Sequence, residues 1–139
     1  MAESKWYAIK TVYRTSARGR KTRTDAHYDA EATLVEERVV LTRAGSFKAA
    51  IAKGEREARE YARNTTYRNP YGQPVKTHYL EACDAFELSE QPGPGVEVYS
   101  RTEVTDSAQS DGAVVERHVG PDEVRGGDKR RRKFLIGAP

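Results

Sequence analysis

The sequence predicts an α+β fold, an antiparallel sheet of four to five strands with one amphipathic helix packed on one face. Three observations predict it: an apolar stripe of helical period over residues 47–63, segments of strand composition on both sides of it, and turn-forming residues between those segments. The expected order is β-β-α-β-β with a possible fifth strand, together with a long basic loop and a disordered basic tail.

The first strand is Trp6 to Tyr13, rich in the β-branched and aromatic side chains that fit a pleated surface. Residues 14–33 have no apolar period and read as a mobile loop, basic at first and then more acidic. Leu34 to Thr42 returns to strand composition. Alternation puts Val35, Val39 and Leu41 on one side and Leu34, Glu36, Arg38 and Val40 on the other, with Glu36 and Arg38 marking the wetter face. Ser46 is suited to cap a helix that starts at Phe47, because its hydroxyl can accept from an unpaired N–H of the first turn.

Phe47, Ala50, Ile51, Gly54, Ala58, Tyr61 and Ala62 then fall on one helical stripe, and most of them are small enough for close packing on a sheet. Asn64 is read as a left-handed stop, followed by a long loop punctuated by Asn69-Pro70, Tyr71-Gly72 and Pro74. Val75 to Leu88 forms a strand with His78, Leu80, Ala82, Phe86 and Leu88 on one side, and Asp84 among them implies a bulge or an exposed end. Val96 to Glu103 alternates as a further strand. A weaker one is expected at Ala113 to Val119, after the turn pair Asp111-Gly112. The division is one domain over residues 1–120 and a disordered tail over 121–139.

With 139 residues, the chain can bury a core without help from metal or disulfides. One cysteine, Cys83, and no run of 18 apolar residues point to a reducing cytoplasm and no membrane partner. The net charge of +3 conceals a sorted distribution. Residues 1–24 carry +6 and residues 125–139 carry +5, which leaves −8 for the segment between them.

Metal binding needs converging ligands, but His27, His78, His118 and Cys83 are scattered, so no metal is expected. Cys83 in a strand reads as a small buried hydrophobe, and no glycine-rich phosphate loop is present. Glu36 and Glu97 are more readily partners of cross-strand arginines than a catalytic pair. No catalytic residue or cofactor is therefore assigned. The leading expectation is a non-enzymatic intracellular module that binds an unknown protein as an inhibitor, immunity factor or accessory subunit. Its open sheet face would present Glu36, Arg38, Glu97, Tyr99 and Arg101.

The alternative is nucleic-acid binding, in which Arg18, Arg20, Lys21 and Arg23, with Lys129, Arg130, Arg131, Arg132 and Lys133, neutralise phosphates. Tyr67, Arg68 and Tyr71 would add stacking on bases.

Five short segments in order, Trp6 to Ala8, Glu36 to Leu41, Ala50 to Ala62, Tyr79 to Glu81 and Glu97 to Ser100, resemble a bacterial family known only as domain of unknown function 4288. The resemblance spans residues 6–101 and implies a bacterial, intracellular source. It implies no activity. The basic stretch after Tyr13 and everything after Thr105 depart from the family pattern.

Overall fold

The computed structural model describes residues 3–120. The expected basic tail, with Lys129, Arg130, Arg131, Arg132 and Lys133, lies outside them. The described elements are β1 (Lys5–Ala17), β2 (Leu34–Ala44), α1 (Phe47–Asn64), β3 (Thr66–Arg68), β4 (Pro74–Glu87) and α2 (Asp111–Val119). The fold is α+β, with a four-stranded antiparallel sheet in the order β2-β1-β4-β3. The chain divides into two compact units after Ser100. Among the described residues no helix is long and apolar enough to cross a membrane.

Strand β1 is central and contributes more buried residues than any other element. Its odd-numbered residues Tyr7, Ile9, Thr11, Tyr13 and Thr15 are all buried, as are Val75, Thr77 and Tyr79 of β4. Cross-strand pairs such as Tyr13 with Tyr79 and Thr15 with Thr77 share a face, so these side chains form one surface for α1. Between the pairs Thr11↔Cys83 and Tyr13↔Tyr79, the three residues Leu80, Glu81 and Ala82 stand opposite Val12 alone. This bulge inserts two residues, so alternation resumes in phase and Cys83 and Ala85 also pack on the core. Glu81 absorbs the bend at φ 55°, and its carboxylate accepts from Arg59 of α1 at 2.8 Å.

Helix α1 begins where the sequence places it, with Ser46 Oγ accepting from Ala49 N at 3.1 Å. Its buried residues are Ala50, Gly54, Ala58 and Ala62, one small side chain every four residues. Such a stripe lets the helix backbone approach β1 so closely that a methyl group on Gly54 would stand 2.5 Å from Ile9 Cγ2. Thr65 ends the helix with φ near −98°, and its hydroxyl donates to Tyr61 O. Asn64 is the last helical residue, so the stop needs no left-handed residue.

Tyrosine supplies much of the covered surface, and each buried ring has to satisfy a hydroxyl. Tyr7 donates to Glu87 at 3.2 Å, Tyr61 to Glu36 at 2.6 Å and Tyr79 to Glu55 at 2.9 Å, while Tyr13 and Thr11 share a 2.6 Å bond. The rings of Tyr13 and Tyr61 meet edge to face at 5.0 Å.

Several expectations are corrected here. The string β-β-α-β-β recurs, but from different segments, because Thr66–Arg68 pairs with β4 and Val96 to Glu103 forms no strand. Alternation shows that a segment suits a sheet, not that it joins one. β3 covers only Pro74 to Lys76 of β4 and β2 keeps its outer edge, yet the 96–100 segment extends neither strand and instead lays Tyr99 beside Phe86 and Lys10.

Residues 113–119 lie in α2. Ser110 caps it by accepting from Ala113 N, and Asp111-Gly112 is its first turn rather than a hairpin. Arg117 in the last turn complements the helix dipole, and His118 lies beside it. Both also reach Glu103, and the hydrogen bond from His118, with Arg117 close by, holds that carboxyl below the usual range. The faces of β2 and β4 are also reversed relative to expectation. Leu34, Glu36, Arg38 and Val40 turn toward the helix side, Val35, Val39 and Leu41 are exposed, and His78 and Leu80 are exposed while Thr77 and Tyr79 are buried.

Candidate functional site

Of the residues expected on an open protein-binding face, Glu36 and Arg38 are under the helix. Arg38 donates to both carboxylate oxygens of Glu57 at 3.2 and 3.1 Å, lies 3.6 Å above the Tyr61 ring, and donates to Tyr13 Oη. Paired charge and a planar guanidinium stacked on an aromatic ring make that burial tolerable, which is why a face that reads as wet is covered. Glu97 is exposed in the irregular segment. Tyr99 donates to Asp84 at 2.7 Å. Arg101 belongs to the second unit and pairs with Glu103 at 3.5 Å. These five residues do not form one surface within the first unit.

The basic candidates behave differently. β1 runs on to Ala17, four residues past the expected end, and brings Arg14 and Ser16 onto the face away from the helix. Register places Arg14 opposite His78 and Ser16 opposite Lys76, and the ladder continues as Arg18 N donates to Pro74 O at 3.1 Å. β3 adds Arg68, opposite Pro74 on the same face, with its guanidinium donating to Gly72 O. A concavity of about 290 Å3 opens here, lined by Ser16, Arg18, Gly19, Pro74, Lys76 and His78. Arg14, Arg18, Lys76 and His78 are exposed, and no ion pair joins any of them to a carboxylate among the described residues.

Residues 19–28 are held against the 69–73 turn. Thr22 N donates to Tyr71 O at 2.8 Å, Gln73 Nε2 to Gly19 O at 3.0 Å, and Tyr71 Oη to Asp25 at 2.7 Å. Arg23 donates to Pro70 O, Lys21 Nζ lies 4.6 Å over the Tyr28 ring, and Arg20 is exposed. The two loops read separately as nucleic-acid contacts therefore meet at one end of the sheet.

The two tyrosines expected to stack on bases are not available for it. Tyr71 is buried, with its ring against Tyr28, and burial together with the Asp25 carboxylate pushes its phenol up to about 12. Tyr67 is half-buried and stands opposite Val75, on the helix side of the sheet.

Sequence reasoning missed Arg14, Ser16, Lys76 and His78. One signal was present: extending the β1 alternation past Tyr13 aligns Arg14, Ser16 and Arg18. The pairing with Lys76 and His78 depends on register between strands far apart in sequence and leaves no local trace. Among the described residues no group of His, Cys, Asp and Glu is arranged to hold a metal. Cys83 is half-buried, and desolvation, reinforced by Glu55, pushes its thiol up, away from nucleophilic reactivity.

A family model described as "Domain of unknown function (DUF4288)" matches residues 6–100, the extent of the first compact unit but for its first five residues. No curated protein and no solved structure matches the chain.

Proposed function

We propose that this chain, which belongs to the DUF4288 family, binds the phosphate backbone of nucleic acid with the cationic end of its open sheet face. The observation that carries the reading is the gathering of Arg14, Arg18, Lys76 and His78, without acidic partners, around one concavity on a sheet surface. Arg68, Arg20, Lys21 and Arg23 extend the positive surface onto the adjoining loops. Attraction of this kind is sequence-blind and salt-dependent, since each neutralised phosphate releases a counterion. With Tyr67 and Tyr71 turned away or buried, base stacking is not part of the reading, and duplex and single strand are both acceptable ligands. No reaction is implied, in keeping with a binding module rather than an enzyme.

The test is fluorescence anisotropy with labelled DNA or RNA and the full chain, titrated between about 50 and 200 mM salt. The triple variant Arg14→Gln, Arg18→Gln, Lys76→Gln should flatten the slope of log K against log salt by about 2 to 3 and weaken binding by at least about tenfold. Unchanged slope and affinity in that variant would assign any binding to residues outside the sheet and end the proposal. A protein-binding role is the second reading, favoured by the exposed Val35, Val39 and Leu41 on β2 in place of Glu36 and Arg38.

A further inference from the structure

We propose that two copies of this chain pair through the free edge of β2, antiparallel and centred on Val40, so that the two sheets become one. β2 has a single strand neighbour, β1, and the side of its backbone away from β1 is fixed by the ladder. Leu88 N donates to Trp6 O and Arg18 N to Pro74 O, so the even-numbered residues of β1 direct their backbone groups toward β4 and the odd-numbered ones toward β2. Their partners on β2 are even-numbered: Thr42 with Tyr7, Val40 with Ile9, Arg38 with Thr11 and Glu36 with Tyr13. Val35, Glu37, Val39, Leu41 and Arg43 consequently direct their N–H and C=O groups outward. An independent contact agrees, since Lys53 Nζ reaches the carbonyl of Arg43 at 2.6 Å.

Natural sheets blunt such an edge with proline, a bulge, a short strand or charged side chains, and of these β2 carries only the charges Glu36, Glu37, Arg38 and Arg43. Here the edge runs for 11 residues, Leu34–Ala44, with neither Pro nor Gly, and its pairing with β1 has no register shift. Val39 and Leu41, the outward residues at its middle, are 46% and 38% exposed.

The sequence of the edge selects both partner and register. Centring a two-fold axis on Val40 sets Glu37 against Arg43, Val39 against Leu41 and Val40 against itself, while Arg38 faces Thr42 and Glu36 faces Ala44, so no like charges are opposed and the outward-directed pairs are complementary. Centring on Val39 sets Glu37 against Leu41 and Arg43 against Val35, while centring on Leu41 sets Val39 against Arg43. Centring on Arg38 or Glu37 opposes like charges. In the Val40 register the outward-facing pairs Glu37/Arg43 and Val39/Leu41 are the hydrogen-bonded ones, as an antiparallel ladder requires. The axis is normal to the sheet, which keeps both helices on one side and both open faces on the other. An unrelated extended peptide would use the same backbone groups, but the edge's own charge pattern complements itself.

Sedimentation equilibrium of the full chain from about 1 μM to about 1 mM tests the association. Dimer is expected. Glu37→Arg or Arg43→Glu alone should weaken it by at least about tenfold, because two symmetric attractions become repulsions, and the two substitutions together should restore it. The register is tested by oxidation in a Cys83→Ser background. Val40→Cys should give a covalent dimer, since facing Cα atoms of a non-hydrogen-bonded pair are about 4.5 Å apart, within disulfide reach. Thr42→Cys, which this register sets against Arg38 of the other copy, should not. A monomer at every concentration, failure of the double variant to restore dimer, or equal cross-linking at positions 40 and 42 would each overturn the proposal. Circular dichroism of each variant separates loss of pairing from loss of fold.

Discussion

Replacing Gly54 with alanine sets helix propensity directly against packing. In an exposed helix the change stabilises by about 1 kcal/mol. Here the added methyl group would lie 2.5 Å from Ile9 Cγ2 and 3.0 Å from Ile9 Cβ and Cγ1, where carbon atoms rest comfortably at about 3.5–4.0 Å. Ile9 is 1% exposed and sits on the central strand, so its Cβ cannot swing aside. The helix must move off the sheet by about 1 Å and loosen the contacts of Ala50 and Ala58, an overpacking cost of about 1–3 kcal/mol. The upper part of that range applies at so short a contact, giving a net destabilisation of about 1–2 kcal/mol.

Urea unfolding followed by circular dichroism and by Trp6 fluorescence measures it. In an Ile9→Ala background the offending Cγ2 is gone, and the Gly54→Ala penalty should shrink by at least about 1 kcal/mol, a coupling that a double-mutant cycle reads directly. A Gly54→Ala midpoint at or above wild type, or an unchanged penalty without the Ile9 side chain, would refute the close-approach reasoning.

The tyrosine hydroxyls predict alkaline behaviour. Burial first, then the bonded carboxylates Glu36 and Asp25, push Tyr61 and Tyr71 up to about 12, and Tyr7 and Tyr79 are raised for the same two reasons. An unfolded tyrosine ionises near 10. The folded chain therefore keeps protons that the unfolded chain has lost, so this stabilisation is whole below about pH 10 and disappears as pH rises through about 12. Absorbance titration should show part of the eight tyrosines ionising late and together with unfolding. All eight ionising near pH 10 in a still-folded chain would contradict it. Arg38→Ala removes the bidentate Glu57 pair and the stack on Tyr61, and should destabilise by about 1–2 kcal/mol with nucleic-acid affinity unchanged. Arg38→Lys should recover less than half, since an ammonium cannot reproduce the planar fork. Lost affinity at full stability would place Arg38 outside the helix interface.

How much of this was legible in the sequence varies by element. Helix α1 was legible in all but its C-terminal stop because what specifies it is local: the Ser46 cap, the small stripe and the charged opposite face lie within 19 residues. Which face of β2 is covered was not. Glu36 and Arg38 look solvent-facing until Glu57 and Tyr61 of the helix are brought over them, and nothing in the alternation of β2 reports that they will be. The candidate site divides in the same way. Arg18, Arg20, Lys21, Arg23 and Arg68 stood out as positive charge, yet their meeting with Lys76 and His78 needed strand register, and the withdrawal of Tyr67 and Tyr71 needed burial.

By itself the sequence determined the α+β class, the position and N-cap of α1, the existence of β1, β2 and β4 and the sorting of charge, all properties of period and composition along a short stretch of chain. Tertiary structure alone decided that Val96 to Glu103 finds no strand partner, that 113–119 coils as α2, which sheet face the helix covers, and where the positive charges converge. The reason is physical. Capping, helical period and β propensity act between neighbours a few residues apart, whereas pairing, burial and electrostatic convergence are energies of groups that only the folded chain brings within reach.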